Sequence, residues 1–299
     1  MIIRILSVCS FIINHPLNKK SKIHSIIKFF YWQIVSRLKK KRLVVNWVNE
    51  SKFIMSKGED GITGNFYCGL IEYEEMCFLL HYLRESDEFY DIGANVGAYT
   101  ILASAVRKCK SYAFEPLPTT FAKLVEQLKI NQIKHLVQTY NKGVALKSGE
   151  LEFSSLLNCK NRVNVDPKNK NITKVLVTTL DKEFKPRAAS LVKIDVEGYE
   201  SFVLRGGKNF FFNKNIGALI IELNGSGKQF GIDDQDINKI IRTYGFKAVK
   251  YDPFTREIKM LSSFNKKGNT IFVKDIKKTF ERCKNSQIFL VHTANKLQI

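Results

Sequence analysis

Residues 88–100 read Glu-Phe-Tyr-Asp-Ile-Gly-Ala-Asn-Val-Gly-Ala-Tyr-Thr, and this stretch decides the fold. A short apolar run ends at Asp91, and Gly93 and Gly97 then flank Asn95 before an Ala-rich helical pattern begins. Glycine permits a positive φ and leaves room for a ligand where a side chain would intrude. The stretch therefore predicts a strand that turns sharply into a helix around a binding loop.

A second acidic motif lies eighteen residues beyond Gly97, where the apolar run 111–114 ends in Glu115 and Pro116. A carboxylate at the end of the second strand of a βαβ unit is placed to accept hydrogen bonds from both hydroxyls of a ribose. The structural alternative is that Glu115 caps the next helix. Together the two motifs predict a nucleoside pocket.

Departures from the dinucleotide fingerprint favour one kind of nucleoside. Gly93 and Ala98 fit its first and third positions, so a nicotinamide dinucleotide remains an alternative, but Asn95 stands where the second glycine would touch a pyrophosphate. Asp91 adds a negative charge at the mouth of the loop. These features suit a ligand that lacks phosphate and carries a positive charge, and S-adenosylmethionine is such a ligand.

A third stretch brings a family resemblance. Residues 191–207 read Leu-Val-Lys-Ile-Asp-Val-Glu-Gly-Tyr-Glu-Ser-Phe-Val-Leu-Arg-Gly-Gly, and residues 218–224 read Ala-Leu-Ile-Ile-Glu-Leu-Asn. With the loop at 91–97, Phe114-Glu-Pro and Thr179-Leu-Asp, the chain resembles the FkbM family of S-adenosylmethionine-dependent methyltransferases. The resemblance covers roughly residues 65–275. It implies a class I methyltransferase fold and methyl transfer to a hydroxyl, often on a sugar or a natural product, without naming the acceptor.

Apolar runs and helical patterns alternate from Phe89 onward, which is typical of an α/β protein with a parallel sheet. We expect an open, mostly parallel seven-stranded sheet of the Rossmann-like class, with helices on both faces and a basic helical extension at the N-terminus. The predicted strands are 88–93, 110–115, 136–141, 189–195, 216–223, 246–251 and 269–274. The predicted helices are 98–107, 117–132, 198–206 and 233–244.

The expected organisation has three parts. A basic helical extension and lead-in occupy residues 1–64, the methyltransferase domain occupies 65–275, and a basic helix or tail occupies 276–299. Residues 142–188 interrupt the alternation of strands and helices with strand-like segments. We expect them to form a strand-rich insertion that borders the acceptor site.

The cofactor contacts are predicted from the first two motifs. The backbone of the glycine loop is expected to hold the methionine part, whose carboxylate faces the N-terminus of the next helix. Thr100 offers a hydroxyl in the first turn of that helix, and Glu72 either approaches from the preceding segment or is exposed on the surface. The predicted cofactor-binding residues are Glu72, Asp91, Gly93, Asn95, Gly97, Thr100, Glu115 and Pro116.

The candidate catalytic residues are Lys193, Asp195 and Glu197, at the end of an otherwise apolar strand. Alternation along a strand puts Lys193 and Asp195 on one face. Charges in a strand that is covered on both sides are costly unless they are paired or functional. The structural alternative is a buried ion pair of Lys193 with Asp195 or Glu222. The functional interpretation is that Asp195, with Glu197, borders the transferring methyl group and accepts the proton of the acceptor hydroxyl.

Other chemistries find less support in the chain. His81 and His292 are alternative bases, but neither lies in a recognisable motif. No spacing of His, Asp and Glu resembles a set of metal ligands, so no metal is predicted. The six cysteines form no Cys-x-x-Cys pair, which indicates a reduced, cytoplasmic protein. No apolar run is long enough to span a membrane, and the apolar opening lacks a convincing signal-peptide cleavage site.

The net charge of +20 is concentrated near the N-terminus, where residues 1–49 contain ten Lys or Arg and no acid. Within this segment Ile23, Ile27, Phe30, Ile34 and Leu38 recur at helical spacing, which predicts a basic amphipathic helix. The helix packs on the catalytic domain, contacts an anionic membrane peripherally through residues 19–42, or binds RNA. A peripheral position at the inner face of a membrane is thus an alternative location.

A methyltransferase acting on RNA or another nucleic acid through the basic termini is the alternative function. The sequence speaks against it in two ways. The basic residues are concentrated at the termini rather than around the motifs, and neither an Asn-Pro-Pro-Tyr or Asp-Pro-Pro-Tyr segment nor a Pro-Cys dipeptide is present. The favoured partner is therefore a small-molecule or glycan acceptor, such as a saccharide or a lipid-linked saccharide.

Overall fold

The computed structural model describes residues 2–38, 42–154, 163, 171–184, 190–266, 268–293 and 296–299. The strands are β1 Leu43–Asn46, β2 Lys52–Met55, β3 Glu88–Ile92, β4 Lys110–Phe114, β5 Val137–Tyr140, β6 Gly143–Val144, β7 Gly149–Ser154, β8 Ile172–Thr178, β9 Leu191–Ile194, β10 Ala218–Glu222, β11 Lys247–Tyr251, β12 Ile258–Met260, β13 Asn269–Val273, β14 Leu290–Val291 and β15 Leu297–Gln298. The helices are α1 Ile2–Asn14, α2 Lys22–Leu38, α3 Asp60–Cys68, α4 Tyr73–Tyr82, α5 Ala98–Ile101, α6 Pro118–Ile130, α7 Leu180–Glu183, α8 Glu200–Gly206, α9 Lys208–Phe212, α10 Asp234–Thr243 and α11 Ile276–Lys284. A π-helical segment, Leu102–Val106, continues α5.

The central sheet has eight strands in the order β12-β11-β13-β10-β9-β3-β4-β5. Strands β10, β9, β3, β4 and β5 are parallel, and β13 runs antiparallel between β10 and β11. The expected class I architecture and all seven predicted strands are confirmed. The number of strands is corrected to eight by β12, an antiparallel edge strand of three residues. Its short and largely exposed segment, Ile258–Met260, carries no buried apolar run that could have signalled a strand.

Each face of the sheet is covered by helices. Successive side chains of a strand point to opposite faces, so Phe89 packs in the cluster beneath α4 and α5, whereas Tyr90 packs in the cluster beneath α8, α9 and α10. Every residue of β9 is buried, Lys193 included. The strand has the near-continuous apolar character of a parallel strand covered on both sides, which makes its single charge conspicuous.

The segment between β5 and β9 forms a separate three-stranded sheet in the order β6-β8-β7. Strands β7 and β8 pair antiparallel as a hairpin-like unit, from Gly149↔Val177 to Ser154↔Ile172. Parts of the predicted insertion, residues 155–162, 164–170 and 185–188, lie outside the described residues. The described strands hold this small sheet beside the carboxyl end of β4.

The N-terminal extension is helical and lies on the domain through α1 and α2. Phe29 and Trp32 of α2 are buried, whereas Ile23, Ile27 and Ile34 are exposed. Helix α2 thus packs on the domain through a second apolar stripe that includes Phe29 and Trp32, and not through the stripe from which the helix was predicted. The side chain of Leu38 and residues 39–41 lie outside the described part of the chain. In the described part of the chain, no helix is both long and apolar enough to cross a membrane.

Candidate functional site

A pocket opens at the carboxyl ends of β3, β4 and β9, the place where ligands bind to open α/β sheets. Its lining comes from the loop after β3, the loop after β4, the small three-stranded sheet and the loop after β9. The lining residues are Gly93, Asn95, Phe114, Glu115, Pro116, Leu117, Gly143, Val144, Leu151, Phe153, Val177, Asp195, Val196, Glu197 and Tyr199. The pocket thus brings the predicted nucleoside motifs and the predicted catalytic carboxylates together.

The glycine loop has the shape that its sequence predicts. Gly93 has a φ of +83°, and a Cβ at this position would lie 1.9 Å from the backbone oxygen of Asp195. Gly97 has a φ of +91°, with Leu124 in the space that a side chain would fill. Asn95 also adopts a positive φ, of +50°, and its side-chain oxygen accepts from the backbone N–H of Val96 at 2.8 Å. The loop therefore makes a tight turn, and its backbone packs closely against the backbone at the end of β9.

Glu115 is held by two backbone amides. Its Oε2 accepts from the N–H of Asn95 at 3.0 Å, and its Oε1 accepts from the N–H of Leu117 at 3.0 Å. Burial raises the pKa of Glu115 to about 7. A carboxylate oxygen has more than one acceptor position, so both oxygens can take further donors from the pocket while the amides fix their orientation.

Asp91 and Thr100 lie behind the loop rather than in the pocket lining. The Thr100 hydroxyl donates to Asp91 Oδ2 at 2.6 Å, and both side chains are buried. Lys193 is the strand neighbour of Asp91 across β3 and β9. Burial raises the pKa of Asp91, while the charge of Lys193 and the Thr100 hydrogen bond oppose the rise. The structure thus places Thr100 as a support of Asp91.

Lys193 sits among carboxylates. Its Nζ is 2.8 Å from Asp195 Oδ2 and lies 4.7 Å from the centroid of the Tyr99 ring. Burial alone would lower the pKa of Lys193, but the negative charges of Asp195, Glu72 and Asp91 outweigh it and raise the pKa. The ion pair of Lys193 with Asp195, the structural alternative, is therefore present, with the lysine buried and the carboxylate partly exposed. Asp195 nevertheless also lines the pocket, so the pair does not exclude the functional interpretation.

Glu72 approaches the site indirectly. Its Oε2 accepts from the Tyr99 hydroxyl at 2.6 Å, and its Oε1 accepts from Asn269 Nδ2 at 2.9 Å. Glu72 is therefore neither an exposed surface residue nor part of the pocket lining. It joins the start of α4 to α5 and to β13, and its charge acts on Lys193.

The loop after β9 is ordered by a carboxylate that sequence reasoning missed. Glu200 Oε1 accepts from the N–H groups of Val196 and Gly198, each at 3.2 Å. Glu197 has a φ of +53°, and its carbonyl accepts from Gln229 Nε2 at 3.1 Å. The only signal for Glu200 was its place at the first position of the next helix, where a carboxylate can hold unpaired amides.

Two further carboxyl groups lie at this end of the sheet, and both have pKa values raised well above those of exposed glutamates. Burial raises the pKa of Glu222, at the end of β10, to about 8, and the charges of Asp195 and Glu197 add to the effect. Burial, together with the charge of Glu72, raises the pKa of Glu75 to about 8. Glu75 lies within an ordinary amphipathic helix, which gave no sequence signal.

The wall beside Glu115 comes from the insertion. Leu151, Phe153 and Val177 of β7 and β8 line the pocket together with Leu117. The described part of the insertion therefore borders the half of the pocket that holds Glu115. That the insertion borders the acceptor site stays a prediction.

The two alternative histidine bases lie elsewhere. His81 is buried against Tyr251, with 2.6 Å between Nδ1 and the hydroxyl oxygen, and burial lowers its pKa to about 3. His292 lies against the β1–β2 turn, with Nε2 2.8 Å from the carbonyl oxygen of Asn49. Neither lines the pocket.

Comparison with known proteins agrees with this geometry. The Methyltransferase FkbM domain model matches residues 91–248, which is more than half of the chain. The hexuronic acid methyltransferase AglP of Haloferax volcanii is 27% identical over 173 residues, covering 57% of this chain and 67% of that protein.

Among solved structures, Methyltransferase FkbM from Methylobacillus flagellatus KT gives a TM-score of 0.46 at 15% identity, covering 70% of this chain and 52% of that one. A Streptococcus mutans protein in complex with SAH gives 0.42 at 17% identity, covering 68% and 96%. This chain thus spans about half the length of the Methylobacillus protein. The match of the domain model, over the residues that build the pocket, shows that the chain belongs to the FkbM methyltransferase family.

Proposed function

We propose that the protein is an S-adenosylmethionine-dependent O-methyltransferase that modifies a hydroxyl of a saccharide, a lipid-linked saccharide or a natural product. One observation carries the proposal. The Glu115 carboxylate, fixed by two backbone amides, and the Asp195 carboxylate line one pocket around the glycine loop. Such a pocket combines an acceptor for ribose hydroxyls with an acceptor for a proton.

The residues of the pocket fit the cofactor. Glu115 has acceptor positions left for the two ribose hydroxyls, and Leu117, Phe153 and Val177 offer an apolar wall for the adenine. The backbone of the loop that contains Asn95 is available to bind the methionine part of the cofactor. Asp91, Thr100 and Glu72 contribute from outside the pocket lining. They hold the loop and place negative charge near the sulfonium.

When bound, the cofactor supplies the electrophilic methyl group. The protein then has to hold the acceptor oxygen in line with that group, and alignment of this kind provides much of the rate of a displacement. Asp195 accepts the proton of the acceptor hydroxyl, which typically contributes ~10²–10⁴-fold. Lys193 fixes the Asp195 carboxylate through the 2.8 Å contact and keeps it available as a base.

The charge of the pocket bears on the acceptor. Asp195 and Glu197 line one side of the pocket, so a polyanionic acceptor would meet repulsion there. A hydroxyl-rich saccharide suits such carboxylates, because its hydroxyls can donate to them. The similarity to a hexuronic acid methyltransferase supports a saccharide as the class of acceptor. The acidic side disfavours the alternative of a nucleic-acid substrate.

The test separates the cofactor from the acceptor. Calorimetry is expected to show binding of S-adenosylhomocysteine and none of NADH, and binding of NADH alone would overturn the proposal. Labelled S-adenosylmethionine is then supplied with pooled glycans, lipid extracts or RNA. Label is expected in the glycan or lipid fraction, whereas label confined to RNA would establish the alternative function.

A further inference from the structure

Helix α2 carries two apolar stripes, and only one of them is covered. Phe29 and Trp32 pack against the domain. On the other side Ile23, Ile27 and Ile34 are 79%, 58% and 56% exposed. Their spacing of four and seven residues places them on one face of the helix. A helix on the surface of a globular protein normally presents polar residues on that face.

Helix α1 extends the exposed apolar surface. It packs along α2 and has no charged side chain between Ile5 and Asn14. In the described part of the chain, nine of the sixteen exposed large apolar side chains belong to these two helices. We call them the N-terminal apolar surface, which consists of Ile5, Leu6, Phe11, Ile13, Ile23, Ile27, Phe30, Tyr31 and Ile34. A concentration of this kind marks an interaction site.

The charged side chains next to this surface indicate what kind of partner it binds. Lys19, Lys20 and Lys22 lie at the turn between the helices, Arg37 lies in the last turn of α2, and residues 1–49 contain no acid. Apolar side chains flanked by lysine and arginine suit the boundary between anionic headgroups and acyl chains. A second copy of the chain would bring the same positive charge to the interface, so self-association would oppose like charges.

We propose that α1 and α2 form a docking surface for a membrane that contains anionic lipid. Both helices lie in the interfacial plane, with the N-terminal apolar surface turned toward the acyl chains and the lysines toward the headgroups. The docking surface also adjoins the domain at the start of α4, where His15 packs edge-on against Tyr73. The proposal goes beyond methyl transfer and does not depend on it.

Flotation of the full-length protein with vesicles tests the proposal. We expect binding to phosphatidylcholine vesicles that contain about one third phosphatidylglycerol, at low salt, and at least a tenfold loss of partitioning at 0.5 M NaCl. Vesicles of phosphatidylcholine alone are expected to bind at least tenfold more weakly. Absence of binding to the anionic vesicles at low salt, or equal binding to both kinds, would overturn the proposal.

Two sets of variants assign the binding to the surface. Ile23→Ser/Ile27→Ser/Ile34→Ser is expected to weaken partitioning at least tenfold through lost apolar burial. Its matched control, Leu176→Ser/Met260→Ser/Ile288→Ser, changes apolar residues exposed elsewhere and is expected to bind like the wild type. Melting temperatures within a few degrees of the wild type show that both variants fold.

The lysines are tested in the same way. Lys19→Gln/Lys20→Gln/Lys22→Gln is expected to weaken binding at low salt at least tenfold and to flatten its salt dependence. Lys208→Gln/Lys214→Gln/Lys247→Gln removes the same charge from exposed positions of the domain and is the control. If both triple lysine variants lose binding equally, the net charge and not this surface is responsible. If sedimentation shows a dimer that only the serine variant abolishes, the surface binds a second copy, and the membrane proposal is overturned.

Discussion

The Asp195 carboxylate touches both the buried Lys193 and the open pocket, so its two roles have to be separated by experiment. If it only braces the sheet, its loss affects stability alone. If it takes the proton, its loss affects turnover at a given cofactor affinity. The contact with Lys193 serves both roles, because the same ion pair that stabilises β9 also orients the carboxylate.

We expect Asp195→Asn to lower turnover at least tenfold, because an amide cannot accept the proton. The affinity for S-adenosylhomocysteine is expected to stay within a few-fold of the wild type. Single-turnover transfer of labelled methyl groups and calorimetry measure the two quantities. Glu257→Gln, at an exposed position, is the control. Turnover equal to that of the wild type would remove Asp195 from the mechanism.

We expect Glu115 to make cofactor affinity depend on pH. In the proposed site its ionised form accepts the ribose hydroxyls, and its pKa of about 7 means that protonation removes this form as the pH falls below 7. We expect the affinity for S-adenosylhomocysteine to fall up to tenfold between pH 7.5 and pH 6, as measured by calorimetry. Glu115→Gln is expected to bind at least tenfold more weakly. An unchanged pH dependence in this variant would assign the titration to another group.

Among the elements, the turn between β3 and α5 is fixed by contact with the end of β9. Because a Cβ on Gly93 would lie 1.9 Å from the Asp195 carbonyl, the two loops approach each other as closely as their backbones allow. The glycine therefore serves two needs at once. It permits the positive φ, and it brings the glycine loop next to Asp195, the proposed base.

Gly93→Ala is expected to lower the melting temperature by at least several degrees and to weaken S-adenosylhomocysteine binding at least tenfold. A Cβ there meets backbone, which cannot move aside as a flexible side chain can. Gly225→Ala is a matched control, because Gly225 has the same φ, +82°, with nothing within 4 Å of a Cβ. It should show only the strain of about 1–2 kcal/mol. Equal effects in both variants would show that the close approach is unimportant.

The elements differ in how far the sequence could predict them. Buried strands such as β9 can be predicted from their continuous apolar runs. Strand β12 could not be predicted in this way, because it is short and exposed. In α2 both stripes have helical spacing, and periodicity alone cannot tell which of them packs on the domain. The place of Glu115 in the pocket was predictable from its separation along the sequence from the glycine loop. Asn269 was not, since its hydrogen bond to Glu72 arises only from the packing of distant elements. Nor was the raised pKa of Glu75, because it depends on how α4 packs against the domain.

In the molecule as a whole, the excess positive charge is concentrated away from the site. The chain carries a net charge of +20, yet carboxylates surround Lys193 where the parallel strands end. Asp91 is buried and Glu75 and Glu222 are half-buried, and burial raises the pKa of Glu75 and Glu222 to about 8. Ionising Glu75 or Glu222 therefore costs stability, whereas the charges of Asp195 and Glu72 act on Lys193 where a sulfonium is expected.

We expect Glu75→Gln to raise the melting temperature by about 2–6 °C at pH 8.5 and by little at pH 5. The folded-state pKa of about 8 exceeds the unfolded value of about 4.5, so the folded state binds more protons between these values. Stability therefore falls as the pH rises from 4.5 toward 8, and the amide removes this loss. Scanning calorimetry at both pH values is the measurement, with the exposed Glu85→Gln as control. A pH-independent gain would contradict this explanation.

The hydrogen bond from Asn269 to Glu72 has a consequence for protein synthesis. The glycine loop and Glu115 leave the ribosome well before β13, which completes the sheet between β10 and β11. Until β13 emerges, Glu72 lacks its amide partner, and the sheet beside the pocket is incomplete. A nascent chain is therefore expected to acquire its affinity for the nucleoside only after β13 has emerged.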